Sequence, residues 1–111
     1  MARLRCRVTG TDAIMVEHFA ELLALCGHSA ERVSPSEAFE RAHTSPVDLV
    51  IIDSQDHVGL ARAIKNAAPS TRIILTTANP RLLSPDGVDV VLHKPLTPER
   101  IIEALTPENR V

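Results

Sequence analysis

The chain has 111 residues, of which 44% are hydrophobic and 23% charged, proportions typical of a soluble globular domain rather than a disordered or fibrous chain. This length predicts a single domain over residues 1–111, with its core at about residues 3–105. A net charge of −2 and 2% aromatic residues disfavour nucleic acid and anionic lipid as partners, because no global basic field attracts them.

The sequence predicts neither a membrane span nor an exported protein. The longest apolar run, residues 22–26, has five residues, whereas a membrane helix needs about 20. Arg3, Arg5 and Arg7 interrupt the region where a signal peptide would need its apolar stretch. We therefore expect a cytoplasmic protein.

The first half of the chain alternates between strand and helix patterns. A short strand at 4–8 and a break at 9–11 precede a helical stripe over 12–26, which Gly27 ends before a weak strand at 30–33. Ser34-Pro35-Ser36-Glu37 is a capping box that begins a helix to about residue 43.

The second half continues the alternation. The apolar, β-branched run at 47–52 is typical of a parallel strand covered on both faces, and it is followed by a helix at 58–67. Further strands are predicted at 72–76 and 88–92, separated by a Pro-interrupted segment at 79–86 that is too short for a full helix. Thr97 and Pro98 cap a last helix that extends to residue 105.

Five strands alternating with helices predict an α/β fold with a doubly wound, five-stranded parallel sheet in three layers. In such a sheet, ligands bind outside the carboxyl ends of the strands. The residues that follow successive strands are Gly10, Thr11, Asp12, Asp53, Thr76, Thr77, Lys94 and Pro95. A carboxylate, hydroxyls and an ammonium group at one edge could bind or carry a phosphoryl group.

Three segments resemble the receiver domain of bacterial two-component response regulators, a CheY-like, flavodoxin-like fold, and the resemblance covers nearly the whole chain. They are VDLVIIDS, IILTTA and GVDVVLHKPLTPERI, the last being the most specific. The resemblance implies a non-enzymatic signalling domain whose partners are a histidine kinase or phosphotransfer protein, or a downstream signalling protein. It also implies homodimer contact through the last helix and the fifth strand. The chain departs from the family between Thr77 and Gly87, where the segment is too short for a full fourth helix, so we expect that helix to be shortened.

The resemblance also implies roles for individual residues. Asp53 would be the phosphoryl acceptor, Thr77 the switch hydroxyl, with Thr76 beside it, and Lys94 the charge partner. Pro95 is a candidate cis residue. Each residue alone has an ordinary explanation, such as a turn aspartate or a solvated lysine, so only the set is informative.

The sequence departs from the receiver pattern at the metal site. Receivers hold Mg²⁺ with a pair of acidic residues after the first strand, and those positions are Gly10 and Thr11 here. Only Asp12, after a register shift, could join Asp53 as a metal ligand, so we expect Mg²⁺ binding to be weak. Asp53 and Lys94 could instead neutralise each other without a cation.

Two alternatives to an Asp53-phosphorylated receiver remain. One is a phosphorylation-independent pseudo-receiver, in which the Asp53–Lys94 pair is structural and the surface is a docking face. The other, less favoured, is a small phosphate-binding or phosphotransfer protein that uses the turn at Gly10; Cys6 lies inside a predicted strand rather than at its end, which argues against it. The cognate kinase, the pathway and the oligomeric state have no signature in the sequence.

Overall fold

Strands and helices alternate along the chain in a computed structural model that describes residues 3–53, 58–79, 81 and 86–105. The strands are β1 (Arg5–Gly10), β2 (Ser29–Arg32), β3 (Leu49–Asp53), β4 (Arg72–Thr77) and β5 (Val90–His93). The helices are α1 (Ala13–Leu25), α2 (Pro35–Thr44), α3 (Val58–Ala67) and α4 (Pro98–Ala104).

The five strands form one parallel sheet in the order β2-β1-β3-β4-β5. The predicted doubly wound parallel sheet is therefore confirmed. The chain winds outward in both directions from the neighbouring strands β1 and β3, and this reversal opens a crevice at their carboxyl ends.

Two hydrophobic cores lie on opposite faces of the sheet. Alternate residues of β3 point to opposite faces, so Ile51 packs with Phe19 of α1 and Ile101 of α4, whereas Val50 packs with Ile64 of α3. The second core also includes buried residues of α2. Helices on both faces of one sheet give the predicted three layers.

Side-chain caps begin three of the helices. The Asp12 carboxylate caps α1, Ser34 and Glu37 form the predicted capping box of α2, and Thr97 caps α4. The break predicted after residue 8 comes later, because pairing with β3 extends β1 through Gly10. The shortened helix predicted between the last two strands falls on a segment whose residues 80 and 82–85 lie outside the described ones.

No helix among the described residues is long and apolar enough to cross a membrane.

A buried arginine connects β1 to β2 and α2. The Arg7 side chain is 5% exposed, and its Nε donates to Glu31 Oε1 at 3.3 Å while a terminal nitrogen donates to the Arg41 carbonyl at 3.4 Å. Arg41 in turn donates to the other oxygen of Glu31 at 2.5 Å, and this hydrogen bond is the main cause of the lowered pKa of Glu31. The buried guanidinium is thus compensated by a half-exposed carboxylate.

Removing the Glu31 carboxylate should lower the free energy of unfolding by more than removing the Arg7 guanidinium. Glu31→Ala leaves the Arg7 charge buried without its anion, and we expect a loss of about 2 kcal/mol in the free energy of unfolding. Arg7→Met places an apolar chain of similar length in the site and should change stability by less than about 1 kcal/mol. Urea denaturation measures both, and a larger loss for Arg7→Met would contradict this account.

Asp89, which immediately precedes β5, connects that strand to α3 and β4. Its Oδ2 accepts hydrogen bonds from Lys65 Nζ and from the Ile73 amide, each at 2.7 Å, and Lys65 also donates to the Thr71 carbonyl at 2.6 Å. Burial, the largest single cause, would raise the pKa of Asp89, but its hydrogen bonds from Lys65 and Ile73, together with the positive charges of Lys65 and Arg72, outweigh burial and the pKa is lowered.

The lowered pKa of Asp89 predicts a loss of stability in acid. Its contribution is fully present above the ordinary aspartate pKa of 3.8 and disappears as the pH falls through the lower pKa of the folded state. We expect Asp89→Asn to cost about 1 kcal/mol at pH 7 and less at pH 2, measured by urea denaturation. The exposed Asp86→Asn is the matched control, and an equal loss in both variants would refute the role of Asp89.

Candidate functional site

Three neighbouring strands bring their last residues to the same level at the carboxyl edge of the sheet. The register pairs Gly10 of β1 with Asp53 of β3, and Asp53 with Thr76 of β4. Because these strands are adjacent, the backbone of Gly10 and the side chain of Thr76 flank Asp53 on its two sides.

The Asp53 carboxylate is held by a hydroxyl and an ammonium group. Thr76 Oγ1 donates to Asp53 Oδ1 at 2.5 Å, and Lys94 Nζ lies 2.8 Å from the same oxygen. The Asp53 side chain is 1% exposed and that of Lys94 is 29% exposed. The lysine therefore compensates the buried negative charge from the solvent side.

The segment after β5 carries Lys94 to this position. The Lys94 amide donates to the Thr77 carbonyl at 2.8 Å, which extends the pairing of β4 and β5 by one hydrogen bond. Pro95, the candidate cis residue, follows a cis peptide bond.

The two threonines at the end of β4 have different surroundings. Thr76 lies against the carboxylate, whereas the hydroxyl oxygen of Thr77 accepts a hydrogen bond from the Asn79 amide at 3.0 Å. Consecutive residues of a strand point to opposite faces, so the register gives the contact with Asp53 to Thr76. Thr76 is therefore the threonine that contacts the Asp53 carboxylate, and the role of Thr77 as the switch hydroxyl stays a prediction.

Gly10 allows the close approach of β1 to Asp53, and the sequence alone did not indicate this role. A Cβ atom at residue 10 would lie 2.7 Å from the Asp53 carbonyl oxygen and 3.1 Å from its Cβ. The available signal was a glycine at a strand end, which often marks close contact with another backbone.

The described residues do not fit a divalent metal site. Asp12 Oδ1 accepts the amides of Ile14 and Met15 at 3.1 and 3.3 Å, so this carboxylate is engaged in capping α1. Gly10 has no side chain, and no group of three His, Cys, Asp or Glu side chains that could hold a metal occurs within the described ranges. Magnesium usually needs one or two carboxylates in an octahedral set of oxygens, and here one carboxylate is already bound to an ammonium.

An apolar groove of about 380 Å³ lies beside the Asp53–Lys94 pair. Lys94, Pro95 and Leu96 line one side, and Ile14 and His18 of α1 line the other. Lys94 therefore contacts the buried carboxylate and also lines this groove.

Cys6 is not a nucleophile for phosphoryl transfer. It is buried within β1, and burial, followed by the nearby Asp48 charge, raises the pKa of its thiol to about 12. The thiolate that a nucleophilic cysteine requires is therefore negligible at neutral pH.

The comparisons with known proteins concern the fold. No protein-family model and no curated protein matches the chain. A receiver domain protein from Methanospirillum hungatei superposes with a TM-score of 0.81 at 17% identity, over 94% of this chain and 91% of that one. The chemotaxis protein CheY4 of Vibrio cholerae gives a TM-score of 0.78 at 19% identity, over 94% and 97% of the two chains.

The receiver domain of a sensor histidine kinase from Pseudomonas aeruginosa gives a TM-score of 0.82 at 18% identity, over 94% of this chain and 95% of that one. That structure has a magnesium ion coordinated in its active site cleft. The chain has the fold of response regulator receiver domains. Within this receiver fold, Asp53 is the buried carboxylate at the carboxyl end of the central strand β3.

The close approach at Gly10 predicts a large cost for a single added methyl group. In Gly10→Ala the new Cβ meets the Asp53 backbone, which cannot move without disturbing β3, and we expect a loss of about 1–3 kcal/mol in the free energy of unfolding. In the control, Gly59→Ala, the added Cβ on α3 meets open space and should stabilise the protein by about 0.5–1 kcal/mol. Urea denaturation compares the two variants, and equal stabilities would exclude the close approach.

Proposed function

We propose that this chain is a signal-transduction receiver module that acts through protein–protein contact, with Asp53 as its phosphoryl acceptor. The convergence of the Thr76 hydroxyl and the Lys94 ammonium on one oxygen of a buried strand-end carboxylate carries the proposal. The receiver fold around these residues supports it.

The proposed phosphoryl transfer uses a carboxylate as the nucleophile and hydrogen-bond donors that contact the transferred phosphoryl group. A carboxylate oxygen of Asp53 attacks the phosphorus of a phosphohistidine on a histidine kinase or phosphotransfer protein. A new P–O bond forms, the P–N bond breaks, and the released imidazole nitrogen takes a proton from solvent. Lys94 turns from the carboxylate to the phosphate oxygens, and the Thr76 hydroxyl donates to the same group.

The exposed apolar side chains of α1 support a role in protein contact. Ile14 is 79% exposed and Leu25 is 84% exposed, and Ile14 also lines the groove that contains Lys94. A partner bound there, whether a kinase or a downstream signalling protein, would contact the residue that senses the charge of Asp53.

A second candidate function is a phosphorylation-independent docking module. The Lys94 ammonium, 2.8 Å from Asp53 Oδ1, already neutralises the carboxylate, and the Asp12 carboxylate is engaged in a helix cap. In this candidate the Asp53–Lys94 pair is structural and the surface is constitutively competent for binding.

Incubation with acetyl phosphate distinguishes the two candidates. For an acceptor, the intact mass of the wild type rises by one phosphoryl group and that of Asp53→Asn does not. Thr76→Val removes one hydrogen bond to the acceptor, and we expect labelling to slow by about tenfold, the equivalent of roughly 1.4 kcal/mol.

The exposed Asp86→Asn serves as the control and should label like the wild type. Labelling that persists in Asp53→Asn would refute Asp53 as the acceptor. If neither protein gains mass, the docking module is the function that stands.

A further inference from the structure

We infer that the Asp53 site works without a divalent cation, because Lys94 supplies the positive charge that a metal would otherwise provide. The inference deepens the proposed function by specifying how the acceptor site is neutralised. It rests on the acceptor role of Asp53 only where phosphoryl labelling is measured with and without a chelator.

The positive charge at Asp53 comes from the chain itself. Lys94 Nζ is 2.8 Å from Oδ1, at the distance of a charge-assisted hydrogen bond, and the Asp53 side chain is 1% exposed. A buried carboxylate needs one compensating charge, and the ammonium provides it. A divalent ion at the same oxygen would leave the pair with an excess of two positive charges and would repel the ammonium.

The ligands that a cation would need are committed elsewhere or missing. Asp12 Oδ1 caps α1 through two backbone amides, and moving it to a metal would leave those amides without their acceptor. Residue 10, which pairs with Asp53 in the sheet, is a glycine with its Cα against the Asp53 backbone. On the present backbone, a Cβ atom at this residue would lie 2.7 Å from a carbonyl oxygen, so β1 or β3 would have to shift to admit an acidic side chain.

The neighbouring hydroxyl completes the arrangement. Thr76 donates to the same Oδ1 as Lys94, so this oxygen accepts two hydrogen bonds from the chain. A metal ion at Oδ1 would therefore have to compete with both of these donors. The site is therefore arranged for an ammonium and a hydroxyl.

Thermal unfolding in MgCl₂ tests the inference directly, with NaCl of equal ionic strength as the reference. We expect the wild-type Tm to be the same in both salts at millimolar magnesium. Asp12→Asn keeps a residue that caps helices well and should show the same insensitivity to magnesium. A saturable rise in the wild-type Tm that Asp53→Asn abolishes would overturn the inference, whereas a rise of equal size in both proteins would place magnesium away from Asp53 and uphold it.

Variants of the ion pair test whether Lys94 is the compensating charge. Lys94→Met leaves the carboxylate buried without a counter-charge, and we expect its Tm to fall by about 4 °C or more in either salt. Adding Asp53→Asn to Lys94→Met removes the buried charge and should recover part of that loss. A double variant no more stable than Lys94→Met would show that the two charges are not coupled and would overturn the assignment of Lys94.

The chelator test separates this inference from the proposed function. If acetyl phosphate labels Asp53, labelling should proceed at the same rate in EDTA and in magnesium. Labelling that requires magnesium would uphold the acceptor and overturn the cation-free site. An absence of labelling would refute the acceptor role, while the magnesium dependence of Tm would still decide whether the site takes a cation.

Discussion

A carboxylate buried at the end of a central strand must be compensated, and in this chain the compensation comes from Lys94. Most features of the carboxyl edge follow from this requirement. The lysine lies after β5, so the segment that follows this strand must return over the end of β4 to reach Asp53. Thr76 adds a second donor from the intervening strand, and Gly10 allows β1 to lie close against the Asp53 backbone on the opposite side.

The parallel sheet by itself brings Asp53, Thr76 and Lys94 to one edge. Right-handed crossovers return every strand in the same direction, so residues far apart in sequence end at one edge without special loops. Polar groups elsewhere in the sheet are also compensated in small sets. Arg7 is neutralised through Glu31, and Asp89 through Lys65, and each pair joins a strand to a neighbouring element. The same contacts therefore neutralise charge and connect elements of the fold.

Compensation by an ammonium differs chemically from compensation by a metal. A bound cation can be shared between a carboxylate and an arriving phosphate, whereas a lysine must move from one to the other. Lys94 is suited to that movement because its flexible side chain is 29% exposed and also lines the groove beside α1. Lys94 thus contacts Asp53 and lines this groove at the same time, in a receiver fold whose described acidic residues form no metal site.

The order of elements, the helix caps at Ser34 and Thr97 and the edge of the sheet that carries the site followed from the sequence, because apolar periodicity and capping residues act locally. Asp53 and Lys94 could be paired in advance through motifs that follow two strands. Which of Thr76 and Thr77 contacts the Asp53 carboxylate could not be predicted, since it depends on strand register and on which face each side chain occupies. The contact of Gly10 with the backbone of Asp53 was likewise decided by tertiary structure. It depends on the distance between two strands, and that distance is determined only when the sheet and its two cores pack together.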